Sequence, residues 1–299
     1  MPIFRTNLYD QILSDIKVLH QFNDDQLKDY LVDLQELASQ VYLDLQNDVV
    51  TVDYSDPEVQ TAYILRYFQG YWEQFNRALW MIKESHEDFI FSHPALNIGL
   101  FGCGPCPEII GGIRFFEDTR DFLPKEIKFH LYDKKTNEWE FALKNFIFPR
   151  HRQNDLINFG VYIGSEQADF TKSFSLAERF SKDFYHVCSF QNCLNEFTEF
   201  CSDEMLEKNI NTVIDSLVPG GFLVMTDRKK TLPIAQRLEE LISSRLEPVD
   251  QIVGSFDSNS SSPMPEVLEN LFTGEGQRRL IATRHNKRFI WVFRKHILE

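Results

Sequence analysis

The chain has 299 residues, of which 43% are hydrophobic and 25% charged, with a formal net charge of -14. That acidic balance excludes an extended electrostatic grip on DNA or RNA, which needs a basic face, and the apolar share excludes disorder as the default. The first residues lack a basic-then-apolar leader and no apolar run approaches the roughly 18 residues of a membrane span, so a cytoplasmic protein is expected. Five cysteines, an odd number set mostly in apolar contexts, are expected to be reduced buried thiols and not a disulfide framework.

Residues 1–93 read as helical. Leu27, Leu31, Leu34, Leu37, Val41 and Leu45 recur at helical spacing, with Asp24 or Asp25 available as a cap. A second helix has a sharp start: Asp56 caps it, Pro57 fits its first position, and Glu58 favours its positive end. It then carries Ile64, Phe68, Tyr71, Phe75, Leu79 and Ile82 along one side, and is rich in aromatic residues. Packing between a helical cap and the next domain explains most of these rings; Tyr67, Tyr71 and Trp72 are also candidates for the wall of a substrate pocket.

From residue 94 the pattern becomes strands alternating with helices, the mark of a mostly parallel sheet covered on both faces. Strands are expected near 96–101, 127–132, 158–163, 185–190 and 220–226. Leu280–Thr283 and Phe289–Phe293 read as a pair of late strands, and the stretch from Gly254 to Pro263 as a turn-rich excursion. The basic residues Arg228, Lys229 and Lys230, and those from Arg278 to Lys295, read as solvated faces.

Five stretches carry chemistry. The first is Asn97-Ile-Gly-Leu-Phe-Gly-Cys-Gly-Pro-Cys-Pro-Glu108, an apolar strand that breaks at Gly102 and Gly104, where the backbone turns tightly and a ligand can approach closely. Pro107 then suits a first helical turn, and Glu108 its positive end. In the second, the strand ending Leu131-Tyr132 delivers the carboxylate of Asp133, placed to accept from ribose hydroxyls or to cap a helix. The third, Ala168-Asp169-Phe170, sets an acceptor for an exocyclic amine beside a ring that could cover a base; alternatively Asp169 caps a helix from Thr171. The fourth is the apolar strand from Phe184, which ends in Gln191, Asn192, Asn195 and Glu196, the groups best placed to orient a substrate. The fifth, Pro219-Gly220-Gly221, reads as an architectural helix-to-strand turn.

Together these features resemble the class I S-adenosylmethionine-dependent methyltransferases, over residues 95–227 and on into the terminal strands. The resemblance implies a doubly wound, mostly parallel seven-stranded Rossmann-like α/β sheet with a reversed last strand, behind an N-terminal helical segment. It implies a cofactor-binding domain over 94–299 and a cap or substrate segment over 1–93. S-adenosyl-L-methionine would meet Gly102, Cys103 and Gly104 with its methionine portion, Asp133 with its ribose, Asp169 and Phe170 with its adenine, and Gln191 at the edge of strand four. On the acceptor side stand Glu196 and Asn192 as catalytic candidates and Tyr67, Tyr71, Trp72 and Asn195 as substrate contacts. His186 is a weaker base candidate and fits better as a buried structural histidine.

The chain departs from the family pattern at Leu100, where an acid is common, and at Cys106, where a third glycine would stand. Asn192-Cys-Leu-Asn195 matches only the first residue of the Asn-Pro-Pro-Tyr acceptor motif. The acceptor is therefore open, a small molecule or protein side chain being favoured over bulk nucleic acid. No metal is expected. Rival readings are a Cys103-Gly-Pro-Cys106 dithiol, a cysteine metal site, a nicotinamide dehydrogenase, and a non-catalytic methyltransferase-like binding or assembly protein.

Overall fold

A computed structural model describes residues 8–47, 52–119, 124, 126–148, 158–163, 168–194, 201–257, 265–268 and 285–297. Four helices come first: α1 (Leu8–His20), α2 (Asp24–Asn47), α3 (Pro57–Ser85) and α4 (Glu87–Ser92). The α3 start follows from its sequence, since Asp56 accepts from the Glu58 N–H at 2.7 Å and Pro57 occupies a position that needs no donor.

The strands β1 (Ala95–Phe101), β2 (Glu126–Tyr132), β3 (Asn158–Ile163), β4 (Tyr185–Gln191), β5 (Leu217–Arg228), β6 (Leu246–Asp257) and β7 (His285–Lys295) form one sheet in the order β3-β2-β1-β4-β5-β7-β6. The sheet is mixed. β1 to β5 pair in parallel, while β7 runs antiparallel to both β5 and β6. Between strands lie α5 (Glu108–Asp118), a helical segment from Thr136 to Ile147 that passes from 3-10 to π geometry, α6 (Asp203–Ser216) and α7 (Leu232–Ile242).

Side chains alternate along each strand, so the sheet feeds two cores. Ile98, Leu100, Phe129, Leu131, Val224, Ile290 and Val292 join the helices α1, α2, α3 and α5 on one face. Phe101, Tyr132, Phe190, Leu223, Met225, Phe289 and Trp291 join α6 and α7 on the other. Through Phe68, Trp72, Phe75 and Leu79, α3 shares the core of the first face with the sheet. At its crossing with α5 the backbones nearly touch: a Cβ on Gly111 would lie 2.4 Å from the Trp72 carbonyl oxygen.

The late strands differ from the expectation. β7 lies between β5 and β6 and pairs with both, whereas 280–283, the expected companion of 289–293, lies outside the described residues. Pro248 and a register shift between Pro248 and Asp250 break the alternation that would have marked β6, and as an edge strand it exposes Glu247, Asp250 and Gln251 in place of an apolar run. Gly254–Asp257, read as the start of a turn-rich excursion, belongs to that ladder, and 258–264 lies outside the described residues. The turn at Pro219-Gly220-Gly221 sits inside β5 as an irregularity: the partners step from Tyr185–Leu217 to Val187–Phe222, and Gly220 takes φ +76°.

Candidate functional site

The strand order reverses between β1 and β4, and the carboxyl ends flanking that switch point are where open α/β sheets hold ligands. β1 delivers its apolar run to this edge and then breaks. Gly102, Gly104 and Cys106 all take left-handed backbone conformations, at φ +63°, +50° and +59°. Two are glycines, which adopt this region without a Cβ penalty; Cys106 adopts it with one. The Cys106 N–H closes a turn onto the Cys103 carbonyl at 2.7 Å, which fixes the entry into α5. Gly102 is also sterically required, since a Cβ there would fall 2.6 Å from that of Cys193.

Asp133 stitches two turns together. Its Oδ2 accepts from the Gly104 N–H at 2.9 Å and its Oδ1 from the Lys135 N–H at 2.8 Å. A cleft opens beside it, lined by Gly102, Asp133 and Lys134 on one side, by Ala168, Asp169, Phe170 and Thr171 on the other, and by Cys193. Asp169 starts no helix. Its Oδ1 accepts from the Thr171 N–H at 3.0 Å and the Thr171 hydroxyl at 2.5 Å, an Asx turn that stands where a helix cap was the alternative. Burial raises the Asp169 pKa, but the bonds from Thr171 and the nearby Lys172 outweigh it and leave the carboxyl below its usual value. Phe170 packs edge-on against Phe101 and Phe190 with ring centroids 6.1 and 5.1 Å away, and its carbonyl accepts from Asn209 at 2.8 Å.

Four predicted site residues, Gly102, Asp133, Asp169 and Phe170, thus meet in one cleft. Cys103 and Gly104 lie just behind it in the turn. Gln191 and Asn192 do not line it. The Gln191 amide donates to the Tyr71 carbonyl at 2.7 Å, and Asn192, at φ +56°, accepts from Arg288 at 2.6 Å. Asn195 and Glu196 lie outside the described residues.

Tyr67, Tyr71 and Trp72 do not line the cleft either; all three are buried. Tyr67 stacks on Tyr71 with centroids 5.5 Å apart, and Tyr63 joins them to Trp139, which packs under Gly104. Trp72 lies beneath the Arg114 guanidinium at the α3–α5 crossing. Spacing along α3 marks its apolar side, but whether a ring on that side meets solvent or core depends on segments far away in sequence.

Glu108 departs most from its expected role. It is 2% exposed, and burial, with a smaller contribution from the Asp133 charge, pushes its pKa up to about 8. At neutral pH it is mostly a neutral acid, so its charge does little for the α5 dipole. Its Oε2 finds no hydrogen-bond partner among the described residues.

The thiols of the glycine turn are buried too. The hydrogen bond between Cys106 and Cys103 lowers the Cys103 pKa, but burial and the nearby carboxylates outweigh it, and burial pushes Cys106 well above the ordinary thiol value. Neutral buried thiols lack the activation that a dithiol redox centre needs. Among the described residues, no group of three His, Cys, Asp or Glu side chains is arranged to hold a metal ion.

His186 belongs to the opposite end of the sheet. Its Nδ1 accepts from the Asn97 N–H at 3.0 Å, and burial lowers its pKa to about 4, which leaves a neutral ring. Asp227 received no role from the sequence, although it closes the β5 apolar run. It is fully buried, accepting from the Leu194 N–H at 3.0 Å and the Arg228 N–H at 2.6 Å, and so ties the end of β5 to the segment after β4.

The class defined by this arrangement is a Rossmann-like α/β protein with its cleft at the topological switch point. No family model matches the chain, and no curated protein matches it. Among solved structures it is similar to the N-methyltransferase NodS from Bradyrhizobium japonicum WM9 in complex with S-adenosyl-L-homocysteine, at 14% identity over 73% of this chain and 85% of that one, with a TM-score of 0.38. It is also similar to a putative sarcosine dimethylglycine methyltransferase from Galdieria sulphuraria, at 14% identity, 74% and 85% coverage and a TM-score of 0.39. A third is an S-adenosylmethionine-dependent methyltransferase from Methanosarcina mazei, at 13% identity, 68% and 93% coverage and a TM-score of 0.39. No helix among the described residues is long and apolar enough to cross a membrane.

Proposed function

We propose that the chain is an S-adenosylmethionine-dependent methyltransferase acting on a small molecule or protein side chain, with residues 94–299 holding the cofactor and 1–93 closing the acceptor side. The observation that carries this reading is the meeting of Gly102, Asp133, Asp169 and Phe170 in one cleft at the switch point. These residues fit a nucleoside. A carboxylate has about four lone-pair directions, so Asp133 can accept from ribose hydroxyls while holding the Gly104 and Lys135 N–H groups. The Asp169 carboxylate faces the same cleft as an acceptor for an exocyclic amine, with the Phe170 ring beside it to cover the base.

When bound, the cofactor supplies an electrophilic methyl on a sulfonium. Transfer of that methyl to an acceptor lone pair would leave the carbon–sulfur electron pair on the departing sulfur, so the protein would have to hold acceptor and cofactor in line. The protein's part is alignment and exclusion of water, with a base required only where the nucleophile arrives protonated. Glu196 is assigned that acceptor-side carboxylate role.

Calorimetric titration with S-adenosylmethionine, S-adenosylhomocysteine and NADH tests the cofactor: the first two should bind and NADH should not. Asp133→Ala is expected to weaken S-adenosylhomocysteine binding by about 1–3 kcal/mol, the scale of hydrogen bonds to a charged acceptor. Unchanged affinity in a folded variant would remove Asp133 from the site.

A further inference from the structure

The carboxyl end of β4 faces a buried polar corner that the cleft does not use. Arg288, on β7, is 2% exposed, yet among the described residues it makes no ion pair within 4.0 Å. Its guanidinium lies over the Tyr71 ring, 4.6 Å from the centroid, and donates to Asn192 Oδ1 at 2.6 Å. The nearby acid, Asp227, is electrostatically coupled to Arg288 without pairing with it in contact; its oxygens hold the Leu194 and Arg228 N–H groups, and the Arg228 guanidinium lies 3.8 Å away. A buried cation without a close counter-ion is costly unless something supplies the charge.

Two orphaned amide atoms stand in the same corner. Gln191 is 4% exposed; its Nε2 donates to the Tyr71 carbonyl, which leaves Oε1 buried without a donor. Asn192 Oδ1 is taken by Arg288, which leaves Nδ2 buried without an acceptor. Both amide orientations are fixed by these partners, a carbonyl in one case and a guanidinium in the other. The corner therefore needs an anion for Arg288, an acceptor for Asn192 Nδ2 and a donor for Gln191 Oε1. A carboxylate next to an N–H or O–H group meets all three demands, and its geometry matches the planar fork of a guanidinium.

We propose that Arg288, Asn192 and Gln191 recognise a carboxylate flanked by an N–H or O–H donor, carried by the methyl acceptor, so that the acceptor is an amino or hydroxy acid. The assignment to the acceptor rests on the methyltransferase reading and on the place of Arg288. β7 stands three places from β1 in the sheet, about 14 Å at normal strand spacing, while Gln191 ends β4 and Asn192 follows it, next to Cys193 in the cleft lining, so the corner adjoins the cleft and extends away from its nucleoside side.

The test is titration of the full chain, with and without saturating S-adenosylhomocysteine, with glycine, L-phenylalanine, lactate and anthranilate and the carboxamide of each. At least one acid should bind 10-fold or more tightly than its amide, and Arg288→Met should abolish that preference while S-adenosylhomocysteine affinity stays within twofold. Should Arg288→Met fail to fold, Arg288→Lys keeps the charge without the fork and should weaken the acid at least 10-fold. Equal binding of acid and amide, or binding of none, overturns the proposal. Loss of S-adenosylhomocysteine affinity in the variant with unchanged affinity for methylthioadenosine would give the carboxylate to the cofactor's methionine half, and would also overturn it. Acid preference in a protein that binds no S-adenosylhomocysteine would leave the corner standing and remove the methyltransferase reading.

Discussion

Gly111→Ala is expected to destabilise the protein by about 3 kcal/mol or more, the scale of overpacking against atoms that cannot give way. The added Cβ would meet backbone, 2.4 Å from the Trp72 carbonyl oxygen and 3.1 Å from the Asn76 nitrogen, so no rotamer change relieves it. The two helices must separate, and the Asn76 amide loses its 3.1 Å bond to the Gly111 carbonyl. Cavities then open around Phe75 and Phe115, both fully buried. Gly254→Ala is the control, because nothing lies within 4 Å of its Cβ position. Urea denaturation of both variants checks the expectation: a Gly111 variant as stable as the Gly254 one would show that α3 and α5 do not cross in contact.

The second large effect is on pH dependence. Glu108 has a folded pKa of about 8 against an ordinary value of 4.5, so the native state keeps a proton that the unfolded chain has lost. Stability therefore falls as pH rises from 4.5 through about 8 and levels off above that. Glu108→Gln keeps the shape of the neutral acid and removes the titration. Relative to the variant, the wild type should lose about 2–3 kcal/mol between pH 5 and pH 8, within the bound of 1.36 kcal/mol per pH unit for one proton. Asp133, Cys103, Cys106 and Tyr63 surround Glu108 in both proteins and cancel to first order. Parallel stability profiles for the two proteins would mean that Glu108 is charged and solvated.

The parts of the fold legible in the sequence are those written in adjacent residues. Asp56-Pro57-Glu58 starts α3 because a cap and its first turn are local, and Gly102 and Gly104 mark the β1 turn because backbone sterics are local. Asp133 follows an apolar run, so its place at a strand end was readable too. Gln191 was not readable in the same way: its amide is set by the Tyr71 carbonyl, 120 residues away, and no local pattern encodes that bond. Arg288 falls in a basic stretch that reads as a solvated face, and only pairing of β7 with β5 buries it. Glu108 looks like a helix-end charge, and only the tertiary fold buries it. β6 was missed because an edge strand broken by Pro248 carries neither an apolar run nor clean alternation.

The tie between the amino-terminal helices and the glycine turn has a consequence for how this chain can change. Gln60 on α3 accepts from the Ala142 N–H and donates to the carbonyls of Tyr54 and Glu138, while Trp139 in that same segment lies under Gly104. Together with the tight contact at Gly111, this leaves no seam among the described residues along which the amino-terminal helices could be exchanged as a module. A chimera that borrowed these helices from another protein would have to bring α5 and the segment after β2 with them. Change is therefore more accessible to this chain through point substitutions than through recombination.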